Sequence, residues 1–458
     1  MRCVLENIRL VTAGNDTRAT RVAIDSGRIA AWDDACPRGW PAEDGGGLLL
    51  LPGAIDPHVH FDDPGYTWRE DFAHGSRAAL AGGVTTVCDM PDTCVPPVTT
   101  RAALDHKVNA VLPRMHCDAA FWAGVSANAI ESGDWRRGMD ELWAAGVIGF
   151  KTYALSGMET FRHLEYAQLR DVLRHAAQLG ALVGIHAEDA GIVAACRAAH
   201  KGATDAAAFA ASRPVEAEVA AIRRVGELAG ETGARIHIVH LSSASGAAEV
   251  SRLRAAGVDV TAETCPQYLA FSDEDLERLG TALKCAPVVK SAAERDGLWQ
   301  ALGGAVSFLA TDHAPCPARE KETRTFDEAY SGMPGVELLL PFALSFGYHA
   351  GRLTLEQVAS LTSGNAAQRF GLAPRKGRLD PGADADFALV DLDEKWTVSG
   401  AALRSKGQVT PFEGMTFRGR VRQTWLRGQK VFSHDSSAPA RGTVVRRGGA
   451  YSFTDART

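Results

Sequence analysis

Residue types that bind metal ions occur in this chain at the ends of successive apolar segments. The first segment, residues 48–55, leads into an H-x-H pair formed by His58 and His60. Side chains alternate along a β-strand, so both imidazoles of such a pair lie on one face. Four later apolar segments end in the same way, at Lys151, His186, His240 and Asp312. Polar side chains at the carboxyl ends of successive parallel strands are typical of a β/α-barrel active site, and this arrangement restricts the fold most strongly.

The rest of the chain fits that fold class. Between residues 52 and 375, apolar strand-like segments alternate with Ala-rich helical segments, which predicts parallel βα units. Residues 1–51 and 376–432 instead contain short alternating segments separated by Gly, Asp and Asn. We therefore predict an α/β protein: a TIM-like (β/α)8 barrel at 52–375, with a small β-sandwich formed by both chain ends. Residues 433–458 are expected to be a polar, loosely attached C-terminal tail.

Composition excludes several classes of partner. The net charge is −6 and the sequence pI is about 6.2, which provides no basic surface for nucleic acid or an anionic membrane. No apolar segment approaches the roughly 20 residues needed to cross a bilayer. Charged residues near the N-terminus disfavour a signal peptide. The nine cysteines are scattered, without a C-x-x-C pair, and indicate reduced thiols of a cytoplasmic enzyme.

The candidate residues differ in how directly they indicate a metal site. Neutral imidazole is a common metal ligand, although a single histidine after a strand is more often a hydrogen-bonded structural residue. His237 is expected to face away from His240, since the two are three residues apart on one strand. Asp312 can bind a metal and accept a proton, or cap the following turn.

Lys151 is the unusual member of the set. An ammonium group has no lone pair and cannot bind a cation. Reaction of the neutral amine with carbon dioxide gives a carbamate whose two oxygens can bridge two metals, and burial favours the neutral amine. The alternative is an ordinary lysine paired with a carboxylate.

At these residues the chain resembles the amidohydrolase superfamily. The resemblance is to its cyclic-amide hydrolase group, which contains dihydroorotases, allantoinases, hydantoinases and dihydropyrimidinases, and it extends from about residue 4 to residue 432. The matching motifs occupy residues 52–60, 82–86, 149–153, 186–189, 240–243, 311–315 and 382–386.

The resemblance implies two divalent metal ions, expected to be zinc, and a small-molecule cyclic ureide as substrate. His58, His60 and Asp312 would hold the more buried ion, and His186 and His240 the second. Lys151, as its carbamate, would bridge them. Asp312 would also be the catalytic base and then the acid that protonates the leaving nitrogen. Relatives are often tetramers or dimers, which implies a homo-oligomer.

Departures from the family patterns indicate the ring that is opened. Dihydroorotases typically carry arginine and asparagine at the positions of Asp62 and Asp92, so an acidic substrate is disfavoured here. Segments 58–65, 261–269 and 280–287 are similar to allantoinases. Ser156 stands where D-hydantoinases usually carry an oxyanion-binding tyrosine.

Some residues are also expected to contact the substrate. Asp62 or Asp63 is expected to accept hydrogen bonds from a ureido arm, because both directly follow the metal-binding strand; capping of the 64–65 turn is the alternative for Asp63. The resemblance implies that backbone groups near Ala286 and Ser331 orient the ring. The polar loop at 318–328 is expected to be either a lid or a solvated insertion.

The sequence therefore predicts metal-dependent opening of a hydantoin-type ring, first of all conversion of allantoin to allantoate in purine metabolism. The alternatives are a hydantoinase acting on other 5-substituted hydantoins, then a dihydroorotase. A mononuclear deaminase would not need Lys151, and a non-catalytic scaffold would not need all six candidate ligands.

Overall fold

The computed structural model describes residues 2–200, 202–433, 436–437, 439 and 441–449. In chain order the strands of this part are β1 Arg2–Ala13, β2 Asp16–Asp25, β3 Arg28–Trp32, β4 Ala42–Asp44, β5 Leu49–Pro52, β6 Ala54–Val59, β7 Val84–Asp89, β8 Asp118–Phe121, β9 Ala123–Gly124, β10 Phe150–Tyr153, β11 Leu182–His186, β12 Arg235–Ile238, β13 Val260–Thr264, β14 Phe308–Leu309, β15 Phe387–Thr397, β16 Thr416–Leu426, β17 Gln429–Ser433 and β18 Ser436–Ser437.

Helices connect most of the strands from β6 onward. They are α1 Phe72–Ala81, α2 Arg101–Val111, α3 Ala127–Glu131, α4 Trp135–Ala144, α5 Tyr166–Leu179, α6 Ala190–Ala199, α7 Ala206–Ala211, α8 Val215–Thr232, α9 Ala244–Ala255, α10 Pro266–Ala270, α11 Asp273–Leu279, α12 Ala292–Gln300, α13 Leu339–Phe342, α14 Leu355–Ala359 and α15 Asn365–Arg369. Two π-helical segments, Ala343–Tyr348 and Ser360–Gly364, continue α13 and α14. No helix among the described residues is long and apolar enough to cross a membrane.

The two chain ends come together in one β-structure, which is consistent with the predicted small β-sandwich. Within the described residues it has nine strands, in the order β18-β17-β16-β15-β5-β1-β2-β3, with β4 paired to β1. The N- and C-terminal parts join where β5 pairs antiparallel with β15, which places Leu50 opposite Leu389. Apolar side chains from both parts, including Leu5, Val22 and Trp425, share one core.

The central part of the chain is α/β with parallel strands. Pairing gives a three-stranded sheet, β6-β7-β8, and a six-stranded sheet from β9 to β14. Trp122 separates β8 from β9, so the two short strands are one interrupted segment and the parallel segments are eight in this part of the structure. A parallel bridge from Val59 to His313 links the first segment to the end of the last. Because β8 and β9 belong to different sheets, the paired strands of the described residues do not form one closed barrel.

The apolar segment 48–55 is divided between the two sheets, whereas the sequence predicted one strand. Residues 49–52 form β5 in the terminal sheet, and β6 begins at Ala54 and pairs with β7. Gly53 lies at the division, where a Cβ atom would collide with the side chain of Thr85. Apolar periodicity cannot reveal this transfer, because the segment is buried in both sheets.

A buried charge cluster joins the terminal sheet to the central part. Lys376 Nζ lies 2.6 Å from Asp118 Oδ2 and 2.6 Å from Asp386 Oδ2, and 3.3 Å from Asp384 Oδ2. Arg427 also pairs with Asp118. Charges are rarely buried unless they are paired, so these contacts compensate for one another.

The expectation of a loosely attached tail is wrong for residues 441–449. The backbone of Ala119 exchanges hydrogen bonds with this segment: its N–H donates to Thr443, and its carbonyl accepts from Val445. Val445 is buried in the core that contains Trp122 and Phe370. Val444 is buried as well and forms a parallel bridge with Ala119 of β8, so apolar residues of the segment pack against the central part of the chain. The remainder of the predicted tail includes residues outside the described part, and the domain boundaries at 51, 375 and 432 stay predictions.

Candidate metal centre

Five of the six residues singled out in the sequence lie at or just after the carboxyl ends of parallel strands. Lys151 is instead the second residue of β10, which continues to Tyr153, so the expectation that its strand ends at Lys151 is wrong. His58 is in β6, Lys151 in β10, and His186 is the last residue of β11. The other three follow the ends of strands β6, β12 and β14: His60, His240 and Asp312. Carboxyl ends of parallel strands converge at one edge, so the local sequence places all six near one point.

His58, His60 and Asp312 form a compact group. The two Nε2 atoms lie 3.3 Å apart, and Asp312 Oδ1 is 3.2 Å from each of them. On its other side, His58 Nδ1 lies 2.5 Å from Glu263 Oε1, and His60 Nδ1 lies 3.1 Å from Thr93 Oγ1. The Glu263 carboxylate favours a proton on His58 Nδ1, which leaves the lone pair of its Nε2 facing Asp312. The Thr93 hydroxyl can accept a proton from His60 Nδ1, which would leave the Nε2 of His60 in the same state. Three such ligands converging in a buried place fit a cation.

The second pair, His186 and His240, adjoins the first group. His186 Nδ1 lies 3.0 Å from His240 Nε2, and the rings of His58 and His240 have centroids 5.3 Å apart. Glu188 Oε2 is 2.8 Å from His186 Nε2 and therefore directs the lone pair of Nδ1 toward His240. His240 Nδ1 is buried, with no hydrogen-bond partner in the described part of the chain.

Lys151 has the environment that a modified lysine requires. Its side chain is buried, and Nζ has no hydrogen-bond partner among the described residues. Nζ lies 4.5 Å from the centre of the Tyr153 ring. Burial lowers the pKa of Lys151 to about 8, against the attraction of Asp92 and Asp312, so the neutral amine is accessible near neutral pH.

The backbone turns sharply after strands β12 and β14, and these turns orient the side chains of His240 and Asp312. His240 and Asp312 have positive φ values of 39° and 50°. Strand β12 ends at Ile238, so regular alternation does not extend to His240. The expectation that His237 faces away is therefore wrong: its Nε2 lies 3.1 Å from Oε2 of Glu263, which also contacts His58.

A cavity of about 630 Å³ opens above this group. Four of the candidate ligands line it, namely His60, His186, His240 and Asp312. Its walls also carry Tyr153, Tyr330 and two arginines, Arg69 and Arg213. This size suits a small organic molecule.

Comparison with known proteins identifies the family. The family model described as "Amidohydrolase family" matches residues 49–431.

The chain belongs to the amidohydrolase family.

Its relatives and structural neighbours narrow the resemblance. The chain is 42% identical to an allantoinase from Rubrobacter xylanophilus over 409 residues, which is 88% of each protein. It is 39% identical to an allantoinase from Solibacter usitatus, covering 97% of this chain and 96% of that one. Among solved structures, L-hydantoinase (dihydropyrimidinase) from Arthrobacter aurescens has a TM-score of 0.91 at 31% identity, covering 97% of this chain and 99% of that chain. The predicted resemblance to cyclic-amide hydrolases is confirmed.

The predicted substrate contacts of this amidohydrolase fall into two groups. Ser156, Ala286 and Ser331 line the cavity. Ser156 also orders its own loop, since Oγ donates to the Phe161 carbonyl and accepts from the Met158 N–H.

Asp62 and Asp63 are buried beside the cavity and are not among its lining residues. Asp63 accepts a hydrogen bond from the Phe72 N–H and pairs with Arg114 at 3.0 Å. These contacts use the Asp63 carboxylate to fix the start of α1, and its role as a substrate contact stays a prediction. The carboxylate oxygens of Asp62 have no hydrogen-bond partner among the described groups, and burial raises the pKa of Asp62 to about 7.

The 318–328 loop of the amidohydrolase is held in place by hydrogen bonds. Lys284 Nζ donates to the carbonyls of Phe326, Asp327 and Ala329 at 2.6 to 2.9 Å. Glu320 accepts from Trp68 Nε1 at 3.0 Å, so both ends of the loop are held. This arrangement positions the neighbouring cavity wall.

Sequence reasoning missed the acidic residues behind the histidines. Glu263, at the end of β13, contacts both His58 and His237; burial would raise its pKa, but the two histidines outweigh burial and hold the pKa well below its usual range. Burial similarly opposes the ionisation of Glu188, but Arg213 and His186 lower its pKa to about 2. The position of Glu263 at a strand end was a usable signal. Asp189 and Ser243, in two of the matched motifs, cap α6 and α9 instead.

Proposed function

We propose that this amidohydrolase opens a hydantoin-type ring by hydrolysis of a cyclic amide bond, with allantoin as substrate and allantoate as product. The main observation behind this proposal is that histidine nitrogens and the Asp312 carboxylate converge beneath a cavity of about 630 Å³. The full-length similarity to proteins named allantoinase supports this choice of ring.

The ligand set fits two divalent ions, and zinc suits its imidazole and carboxylate ligands. His58, His60 and Asp312 would hold one ion, and His186 and His240 the other. Lys151, carboxylated to a carbamate, would bridge them. When bound, such ions supply the Lewis acidity that activates water and polarises an amide carbonyl.

Asp312 is the residue proposed to move the proton. Its side chain lies against both Nε2 atoms yet is 15% exposed, and it lines the cavity. It can therefore accept a proton from the attacking water and donate it to the leaving ring nitrogen. Ala286 and Ser331, which line the cavity, would orient the ring.

Charge near the cavity opposes an acidic substrate. Asp92 lines the cavity and Asp62 is buried beside it, and each stands where dihydroorotases typically carry a carboxylate-binding residue. A carboxylate on the substrate would be repelled by these groups when they are ionised. This charge favours a neutral ureide over dihydroorotate.

Hydantoinase activity on other 5-substituted hydantoins is the second candidate. It is favoured by the TM-score of 0.91 to the L-hydantoinase from Arthrobacter aurescens.

All nine cysteines lie within the described residues as free thiols, which supports action in the reducing cytoplasm. We also propose a homo-oligomer, either a tetramer or a dimer.

A substrate panel on the metal-loaded protein tests the function. Initial rates are measured with allantoin, hydantoin, 5-substituted hydantoins, dihydrouracil and dihydroorotate, together with metal content. We expect about two ions per chain and the highest kcat/KM on allantoin. One ion per chain would instead indicate a deaminase, none a scaffold, and a dominant rate on dihydroorotate would overturn the choice of ring.

A further inference from the structure

The positively charged side chain of Arg69 is part of the cavity wall and is not one of the candidate metal ligands. Arg69, in the loop between β6 and α1, lines the cavity together with Tyr330, and its side chain is 22% exposed. We infer that Arg69 determines substrate specificity by donating hydrogen bonds to a neutral carbonyl oxygen on the ring substituent. The inference rests on the proposed function and assigns the ureido arm of the substrate to this residue.

Arg69 is held in place on two sides. Its Nε donates to Glu320 Oε2 at 2.7 Å, and its guanidinium carbon lies 4.2 Å from the centre of the Tyr330 ring. Glu320 is itself oriented by Trp68, whose Nε1 donates to the other carboxylate oxygen. A planar guanidinium stacked on an aromatic ring and bonded at Nε has one orientation, so little entropy is lost when it binds a ligand.

The loop that carries Arg69 is also anchored. Lys406 Nζ donates to the Thr67 carbonyl at 2.5 Å and pairs with Asp71 at 2.5 Å. Glu70 Oε2 lies 3.3 Å from His313 Nε2, directly after Asp312 in sequence. The position of Arg69 relative to the reacting groups is therefore fixed by contacts on both sides of it.

Arg69 has donors left for a ligand. Among the described residues, the hydrogen bonds of its side chain are confined to Nε, so the two terminal NH₂ groups remain available. The other cavity-lining arginine differs, because Arg213 is bonded to Glu188 behind His186. Arg69 is thus the cavity-lining arginine that is free to contact substrate.

The charge balance indicates the chemical class of the bound group. Glu320 already neutralises Arg69, and Asp62 and Asp92 are close to the same wall. This leaves little net positive charge to attract a carboxylate. A neutral urea-type carbonyl oxygen has two lone pairs and can accept hydrogen bonds from the terminal NH₂ groups of Arg69 without needing a net positive charge.

The test compares two substrates that differ only in the arm. Steady-state kinetics are measured for wild type, R69M and R69K with allantoin and with unsubstituted hydantoin, at equal measured metal content. For R69M we expect kcat/KM on allantoin to fall about 10- to 100-fold, mainly through KM, because a charged hydrogen bond is lost. Hydantoin should change less than about 3-fold, and R69K should recover part of the loss on allantoin.

Arg137 provides a matched control, because it lies on α4 outside the cavity and pairs only with Glu141 among the described residues. R137M should leave both substrates unchanged. Equal losses on both substrates in R69M, or no loss on either, would overturn the role of Arg69. Unchanged hydantoin kinetics in R69M also show that the variant is folded. A wild type that hydrolyses hydantoin but not allantoin would overturn the proposed function, and the inference with it.

Discussion

His58 and Glu263 are joined by a buried contact of 2.5 Å between Nδ1 and Oε1. Glu263 also contacts His237 through its second oxygen, so the carboxylate has partners on both sides. An acidic partner on the far nitrogen of a metal-binding histidine fixes the ring and raises the basicity of the ligating nitrogen. The same carboxylate therefore links the proposed metal site to the interior of the strands.

Glu263→Gln should weaken metal binding while the fold is retained. We expect metal affinity to fall about 10- to 100-fold, since the amide no longer bears the charge that favours the His58 Nδ1 proton. Competition with a chelator measures this directly. Glu249→Gln, which alters a carboxylate on α9 paired with Arg223 and Arg252, is the control. An unchanged affinity in Glu263→Gln would contradict the role of Glu263.

Lys151→Met should separate activity from stability. Because Nζ is buried without a hydrogen-bond partner in the described structure, its removal should leave the metal-free protein equally stable or more stable by roughly 1–3 kcal/mol. Activity should be lost, since the variant cannot form a carbamate. Urea unfolding of metal-free protein and carbon-13 NMR with labelled bicarbonate measure the two effects. A labelled resonance that persists in Lys151→Met would place the carbamate elsewhere.

Asp63→Asn should affect stability more than catalysis. The variant loses the ion pair with Arg114 and weakens the hydrogen bond from the Phe72 N–H, at an expected cost of about 1–3 kcal/mol. KM for allantoin should remain within about 2-fold of wild type, because Asp63 is not among the lining residues. Thermal unfolding and kinetics are compared on one preparation. A large rise in KM at unchanged stability would instead support Asp63 as a substrate contact.

Lys376→Met should destabilise the protein strongly. The change leaves Asp118, Asp384 and Asp386 buried without their shared cation, at a cost of about 3–5 kcal/mol. Urea unfolding measures the loss, with the exposed Lys395→Met as control. Equal stability of the two variants would show that the cluster is dispensable.

The cluster also predicts sensitivity to acid. Burial would raise the pKa of Asp118, but Arg427 and Lys376 outweigh it and lower that pKa. A group with a depressed folded pKa contributes stability above its unfolded pKa, about 4, and loses it as pH falls through the folded pKa. The stability difference between wild type and Asp118→Asn should therefore shrink below about pH 4. A difference that stays constant from pH 7 to pH 3 would contradict this origin.

The sequence predicted the strand ends better than it predicted what surrounds them. Apolar segments ending in His186 and Asp312 were sufficient to place those side chains at one edge of parallel strands. The turn that gives His240 a positive φ was not visible, because no glycine or proline marks it, and this led to the wrong expectation for His237.

Contacts between segments that lie far apart in the chain could not be predicted from the sequence either. Arg114, in the turn that follows α2, pairs with Asp63, and residues 441–449 pair with β8 although they lie near the other end of the chain. Local pattern contains no information on such pairings. The division of segment 48–55 at Gly53 could not be predicted for a similar reason, because the residues on both sides of Gly53 are apolar and buried.

The pairing of β5 with β15 has a consequence for synthesis on the ribosome. Leu50 meets Leu389 only after more than three hundred intervening residues have been made. Until then the first strands expose an unpaired edge and an uncovered apolar face, which are features that promote aggregation. A nascent chain arrested before β15 should therefore bind chaperones, and release should coincide with emergence of the last strands from the exit tunnel.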